Sequence, residues 1–289
     1  MQTDKNTVKR AVFSRPDDAN KGTLGSLLSI CGCYGMAGAA IMAGKAALRC
    51  GLGLLKSAVA KSVYPIASQA ILESVFFPLE ETADGKISKC NTEFLLGEAE
   101  KSSAALIGCG LSVCDDTNAI VNSFIENCTV PLVLDADALN CIADNPEILK
   151  KANVPIIITP HPGEMARLVN STARAVNESR KEIAEEFSKE YGVITVLKGA
   201  GTIIADQNGR TLINRTGNSG MATGGSGDVL AGMTASLLAQ GADAFDSAAA
   251  AVYLHGLAGD IAAERFGKIS MLPTDMIRLI PEAYKRCGF

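Results

Sequence analysis

Tryptophan is missing from this 289-residue chain, aromatic residues make up only 5% of it, and histidine occurs twice. With so few rings, a core must be assembled from Ala, Ile, Leu and Val, threaded by tight turns that 28 glycines permit. No segment is strongly basic and the net charge is −4, which argues against a nucleic-acid or anionic-membrane surface. No run approaches the ~18 apolar residues that a membrane span requires. Met1 to Arg10 lacks the apolar centre of a secretory signal. These absences predict a cytoplasmic protein. Nine cysteines stand at 31, 33, 50, 90, 109, 114, 128, 141 and 287, an odd number with no CxxC pair. Several lie in apolar runs such as Leu28-Ser29-Ile30-Cys31, so reduced, buried thiols are expected rather than disulfides or a zinc site.

Familiar phosphate and hydrolase signatures are missing too. There is no Gly-x4-Gly-Lys-Ser/Thr and no Gly-x-Gly-x-x-Gly after a strand, which argues against a P-loop NTPase and a dinucleotide fold. Ser226 falls one residue short of a nucleophile elbow, and only His161 and His255 could serve it.

What is present alternates. Short, almost wholly apolar runs at Leu27–Cys31, Ala104–Ile107, Val130–Leu134, Pro155–Thr159 and Val193–Leu197 read as strands covered on both faces. Thr202–Ala205 and Thr211–Asn214 flank a hairpin turn. Helical patterns fill Met36–Arg49, Ala175–Tyr191, Val229–Gln240, Ala244–Phe266 and Pro273–Arg286. The charged stretch from Glu178 to Glu190 reads as a solvated face. The first twenty or so residues read as a loosely held arm. This alternation predicts a doubly wound α/β layer fold, a three-layer αβα sandwich with a mostly parallel central sheet. With no repeat and no low-complexity linker, residues 1–289 are expected to form a single domain.

The strongest chemical signal runs from Asn214 to Leu230, where five glycines precede an amphipathic helix expected to start near Asp228. Glycines let the N–H groups of Gly225, Ser226 and Gly227 converge, and the helix adds its positive end, so the turn reads as an anion hole for phosphate. Asp228 is either a helix cap or a proton acceptor for a hydroxyl that acquires the phosphate. Four further clusters follow strand ends, where ligands bind in open α/β sheets. Thr159-Pro160-His161-Pro162-Gly163-Glu164 fixes His161 for ligand contact, with Glu164 either capping the next helix or holding a magnesium-bound water. Lys198-Gly199-Ala200-Gly201-Thr202 can follow a phosphate or adenosine. Gly108-Cys109-Gly110 allows close backbone approach to a ligand. Asp135 and Asp137 can organise Mg²⁺ or accept substrate hydroxyls, though one of them reads as a cap.

These residues, with Asn20-Lys21-Gly22-Thr23-Leu24-Gly25 and Gly35-Met36-Ala37-Gly38-Ala39-Ala40, resemble the NAD(P)H-hydrate dehydratases of the ribokinase-like superfamily. The motifs stand in family order from residue 20 to about 232. The resemblance implies an ADP-dependent (or ATP-dependent) (S)-NAD(P)H-hydrate dehydratase using Mg²⁺, a lyase acting on hydrated NADH and NADPH. The C6 hydroxyl is phosphorylated and phosphate is then eliminated, yielding NAD(P)H, AMP and phosphate when ADP is the donor. Asp228 would take the hydroxyl proton, and the amides of Gly225, Ser226 and Gly227 would hold the phosphoryl group. Ala40, Gly108 or Gly110, His161 and Asp228 would contact the hydrate; Lys198, Gly199, Ala200, Gly201, Thr202 and Gly227 the nucleotide. Relatives are commonly homo-oligomers, often tetramers, and the family's frequent epimerase domain is not seen ahead of residue 20. Two positions depart from the family pattern, Gly32-Cys33-Tyr34-Gly35 and Ser219, and bear on fine substrate contacts. The competing reading is a vitamin-precursor kinase of the same fold, for a hydroxymethylpyrimidine or hydroxyethylthiazole. Those kinases generally carry Asn at the position of His161. A non-catalytic nucleotide sensor would have little need of Asp228.

Overall fold

A computed structural model describes residues 1–13 and 15–289. Seven parallel strands form the body of the sheet. They are β1 (Ser26–Ile30), β2 (Leu54–Ala60), β3 (Ser74–Leu79), β4 (Ala104–Ile107), β5 (Leu132–Leu134), β6 (Ile156–Ile158) and β7 (Ile194–Leu197). An antiparallel hairpin, β8 (Ile203–Ala205) and β9 (Thr211–Ile213), extends it, giving the order β3-β2-β1-β4-β5-β6-β7-β8-β9. Every residue of β4, β5, β6 and β7 is buried, which is why these strands are apolar without alternation.

Helices cover both faces. Before the first strand lies α1 (Lys5–Ala11). The crossovers are α2 (Ala37–Arg49), α3 (Tyr64–Ala70), α4 (Thr92–Glu100), α5 (Asp115–Asn127) and α6 (Asp137–Cys141), then α7 (Pro162–Leu168), α8 (Ala173–Glu178) and α9 (Arg180–Tyr191). The chain closes with α10 (Ser226–Ala239), α11 (Ala244–Phe266) and α12 (Pro273–Cys287). Right-handed crossovers put α2 and α3 on one face and α5, α6 and α9 on the other. The first face also receives α10, packed on β1, β4, β5 and α2, and α11, packed on β6, β7 and β8. The expected three-layer sandwich is therefore observed. All nine cysteines are free thiols, six of them buried. Among the described residues no helix is long and apolar enough to cross a membrane.

The structure departs from the sequence expectations in four places. The first residues are not a loose arm: Asp4 caps α1 by accepting from the Thr7 amide at 2.9 Å, and Val8 is fully buried as α1 packs on α11. Thr3 Oγ1 donates to Asn214 Oδ1 at 2.7 Å, tying the terminus to the segment after β9. Only Val8 and Ala11 supply this apolar contact, too little to stand out in a polar sequence. The expected helix over Ala175–Tyr191 is two helices, because Ser179 (φ −134°, ψ 44°) leaves helical geometry between α8 and α9. β2 and β3 were not anticipated. β3 is an edge strand containing Pro78 and half open to solvent, and β2 carries Lys56, whose ammonium bonds the Lys101 carbonyl at 2.9 Å. Finally, α10 begins at Ser226, so Asp228 sits inside its first turn and is not its cap.

Burial of Val8 is tested by Val8→Asp. Seating a carboxylate between α1 and α11 should lower stability by about 2–5 kcal/mol, read as a fall in the thermal midpoint. An unchanged midpoint would mean that α1 is not docked.

Candidate active site

The strand order reverses between β1 and β4, and in a doubly wound sheet the crevice at such a reversal is where ligands bind. The two chains leaving those strands stay together, for the Gly32 amide donates to the Cys109 carbonyl at 2.9 Å. The first turn of α10 meets this crevice. Its cap, Gly225, has φ 101°, and a Cβ there would fall 2.5 Å from the Met42 sulfur, so only glycine fits. Gly227 faces the charged groups: a Cβ on it would lie 3.4 Å from Lys198 Nζ and 4.0 Å from Asp135 Oδ2.

The amides at this helix mouth differ from expectation in one respect. The Ser226 N–H is taken by the Thr223 carbonyl at 3.2 Å. The N–H groups of Gly225, Gly227 and Asp228 find no acceptor among the described residues, as the first turn of a helix leaves them. The free amides at the helix mouth are thus those of Gly225, Gly227 and Asp228, with the Ser226 N–H turned inward. Ser226 is buried, and its carbonyl accepts from His255 Nε2 at 2.9 Å. Burial holds the His255 imidazole at a pKa of about 4, so it stays neutral behind the loop. Gly224 is exposed and Gly225, Gly227 and Asp228 are half-buried, so the hole opens to solvent.

Acids and one base gather beside it. Ligand atoms of Asp228, Asp135 and Cys109 lie within 4.8 Å of one another. Asp135 is buried, and its Oδ1 accepts from Thr159 Oγ1 at 2.7 Å and from Lys198 Nζ at 2.7 Å. Its Oδ2 accepts from the Cys109 thiol at 3.8 Å. Lys198 Nζ is also 3.7 Å from Glu164 Oε2. Burial works against the ammonium, but Asp135 and Glu164 outweigh it and its pKa is raised. Asp228 is pushed up to about 6 by burial and by the charge of Asp135, against the Cys109 hydrogen bond and Lys198. At neutral pH it remains a carboxylate, and a more basic one than an exposed aspartate.

The remaining expected residues divide. His161 does cap α7, its Nδ1 accepting from the amides of Gly163 (2.9 Å) and Glu164 (3.2 Å). Glu164 Oε2 accepts from the His161 amide at 2.7 Å, so Glu164 does cap α7, while its Oε1 lies 3.4 Å from His161 Nε2. The imidazole itself is half exposed. The close approach at Gly108 is to the protein itself, since a Cβ there would meet the Asp135 carbonyl oxygen at 1.9 Å. Gly110 is likewise pressed on Ala39 and Met36, and Ala40 is buried beside Gly32. These three residues shape the crevice floor by letting β4, α6 and α2 close up. Of the two acids after β5, Asp135 belongs to the site. Asp137 holds the neighbouring loop by accepting from the Ser112 amide at 2.8 Å. Lys198 to Thr202 leave β7 on the far side of Asp135, with Thr202 Oγ1 donating to the Gly199 carbonyl at 3.0 Å. Two groups escaped sequence reading: His255, set in an Ala-rich helix, and Arg180, in the stretch read as solvated but reaching the 198–200 carbonyls.

The two shifted groups pull stability in opposite directions with pH. Charging Asp228 costs the native state nothing below about pH 4 and its full amount above about pH 6. His255 contributes fully above its unfolded value near 6.5, and that contribution is lost as pH falls towards about 4. Asp228→Asn removes only the first effect. It should stabilise the protein at pH 7.5 by on the order of 1–2 kcal/mol, after discounting for partial exposure, and make stability fall more steeply than in the parent below pH 6.5. Denaturant midpoints at pH 4.5–7.5 check this; parallel curves for the two proteins would contradict it.

With the crevice defined, likeness to known proteins becomes informative. A family model described as NAD(P)H-hydrate dehydratase matches residues 27–282. The bifunctional NAD(P)H-hydrate repair enzyme of Moorella thermoacetica is 40% identical over 267 residues, 92% of this chain and 50% of that protein. The ADP-dependent (S)-NAD(P)H-hydrate dehydratase of Neisseria meningitidis is 35% identical over 88% of this chain and 82% of its own length. The Bacillus subtilis ADP/ATP-dependent NAD(P)H-hydrate dehydratase, co-crystallised with ATP/Mg²⁺, superposes with a TM-score of 0.84. It has 29% identity and covers 99% of this chain and 98% of its own. The chain spans about half the length of the bifunctional curated relatives it matches. Matched over nearly all its strands and every cluster of the crevice, the chain belongs to the NAD(P)H-hydrate dehydratase family and has its ribokinase-like αβα fold.

Proposed function

We infer that this chain is an ADP-dependent (S)-NAD(P)H-hydrate dehydratase, a lyase that restores NADH and NADPH from their C6 hydrates. The observation that carries the reading is the helix mouth of α10. Free amides of Gly225, Gly227 and Asp228 stand beside a carboxylate raised to about 6, with a lysine ammonium next to it.

The reaction needs a phosphoryl acceptor site, because hydroxide leaves poorly and phosphate leaves well. Asp228 takes the proton of the C6 hydroxyl as its oxygen attacks the donor's terminal phosphorus. The P–O bond to AMP breaks, and the nucleotide departs. The substrate's phosphate ester then loses phosphate as the ring nitrogen's lone pair assists cleavage of the C6–O bond. A proton leaves C5, and the C5–C6 double bond forms. The amides at the helix mouth carry charge on the transferring group, an effect commonly worth about 10²–10³ in rate per well-placed donor. Lys198 offsets the negative field of Asp135 and Glu164, which would otherwise repel phosphate.

A magnesium ion would be held by the phosphates of the nucleotide, with Glu164 the protein group placed to hold one of its waters. Both oxygens of Asp135 are engaged and Cys109 is a soft donor unsuited to Mg²⁺, whereas the α7 cap and Lys198 both use Oε2 of Glu164 and leave its Oε1 beside His161 Nε2. Bound to those phosphates, the ion would supply neutralisation of their charge. We further propose that the single domain handles the (S) epimer unaided, as the similar length of the Neisseria relative supports. A vitamin-precursor kinase is less well supported, because His161 stands where those kinases are expected to carry Asn.

The test is to incubate the protein with hydrated NADH and ADP or ATP, following the return of NADH absorbance and phosphate release. Turnover with ADP is expected, and none with either nucleotide would refute the reading. Asp228→Asn should bind ADP as tightly as the parent and lose about 10²–10⁴ in kcat, the usual worth of a general base. In the parent, kcat/KM should fall as pH drops through about 6, since protonation removes the base. A flat profile from pH 5 to 8 would show that Asp228 is not the proton acceptor.

A further inference from the structure

The loop after β7 is sorted by polarity, and one side chain does the sorting. Arg180, the first residue of α9, donates through Nη2 to the carbonyls of Leu197 (2.8 Å) and Lys198 (3.0 Å), and through Nη1 to that of Ala200 (2.7 Å). The Gly199 carbonyl is taken by Thr202 Oγ1. Every acceptor from Leu197 to Ala200 is thus occupied by the protein. The N–H groups of Gly199, Ala200 and Gly201 donate to nothing among the described residues, and Gly199 and Ala200 are exposed. Such a segment offers hydrogen-bond donors outward and turns its carbonyl dipoles away, as an anion-binding backbone nest does.

The arrangement is costly, which marks it as more than a surface contact. The guanidinium lies against Gly199, where a Cβ would come within 2.9 Å of Nη2, and Gly199 itself adopts φ 142°. Arg180 Nε is buried with no hydrogen-bond partner. No carboxylate pairs with Arg180 within 4.0 Å among the described residues. A half-buried guanidinium with no carboxylate partner and a buried, orphaned Nε is retained where its other bonds matter. Its positive charge sits against Gly199, on the carbonyl side of the loop, and adds to the attraction of the amides for phosphate.

We propose that Arg180 is a positioning residue for the nucleotide: it holds the carbonyls of Leu197, Lys198 and Ala200 so that the amides of Gly199–Gly201 face the phosphates of a nucleoside diphosphate. This rests on the dehydratase reading for the identity of the nucleotide, but its test does not need turnover. Asp135 grips the Lys198 side chain from the other side, so Arg180 orders the main chain of the loop and Asp135 its charge.

The experiment compares Arg180→Ala and Arg180→Lys with the parent in calorimetric titration with ADP and in steady-state turnover. Arg180→Ala should weaken ADP binding by about 10–100-fold. The KM for the hydrate should move less than about twofold and kcat at saturating ADP less than about threefold. Guanidinium at millimolar concentration should recover most of the lost affinity in Arg180→Ala. Arg180→Lys should fall between, since one ammonium cannot span three carbonyls. Unchanged ADP affinity overturns the proposal. So does equal loss of ADP and hydrate affinity without guanidinium rescue, which would mark a structural role only. Should Arg180→Ala not fold, Arg180→Lys decides: parental ADP affinity with intact stability overturns the proposal. A parent that binds ADP but fails to dehydrate the hydrate would sink the functional reading and leave this one standing.

Discussion

The ion pair of Lys198 with Asp135, 2.7 Å long and largely shielded from water, is the interaction on which the crevice depends. Three carboxylates, Asp135, Glu164 and Asp228, converge where a phosphate is to bind, and alone they would repel it. One ammonium set between Asp135 and Glu164 removes most of that field while leaving Asp228 unpaired. That imbalance gives Asp228 its basicity, because it feels burial and Asp135 without a salt bridge of its own. Removing either member of the pair would leave a buried charge uncompensated, the expensive way to break such a contact.

Around that pair the fold supplies donors without acceptors. The mouth of α10 contributes unpaired amides, and the loop after β7 contributes more, its carbonyls held back by Arg180. The two sets approach from different strands, and the Lys198 side chain links them by bringing its ammonium beside Gly227. The first-turn amides of α10 have no protein acceptor and stand open to solvent, which leaves them available to a ligand. His255 secures this opening from behind: it grips the Ser226 carbonyl and remains uncharged.

Much of this was legible from residue order alone. The fully buried central strands declare themselves as continuous apolar runs, and the glycine-rich turn does so because Gly225 occupies a conformation that other residues resist. Less was legible where a residue's role depends on what lies across the chain. Arg180 resembles every other charge at a helix start until β7 is brought alongside it. His161 reads as a ligand contact, and only the coordinates reveal that its ring spends Nδ1 on its own helix. Gly108 and Gly110 read as close approaches, and one face of each is pressed on the protein itself: Gly108 on the Asp135 carbonyl and Ala138, Gly110 on Ala39 and Met36. β3 hides because an edge strand half open to water lacks the pattern of a buried one, and Val8 because two apolar residues make no recognisable stripe.

The chemistry turns on whether the substrate's own oxygen takes up phosphorus before it leaves carbon. Hydrate carrying ¹⁸O at C6, turned over with unlabelled ADP, decides this by the mass of the phosphate released. The account predicts one ¹⁸O in each phosphate, because the C6–O bond breaks after the P–O bond has formed. Label found in water, with unlabelled phosphate, would mean that hydroxide departs directly and that the nucleotide is hydrolysed apart from it.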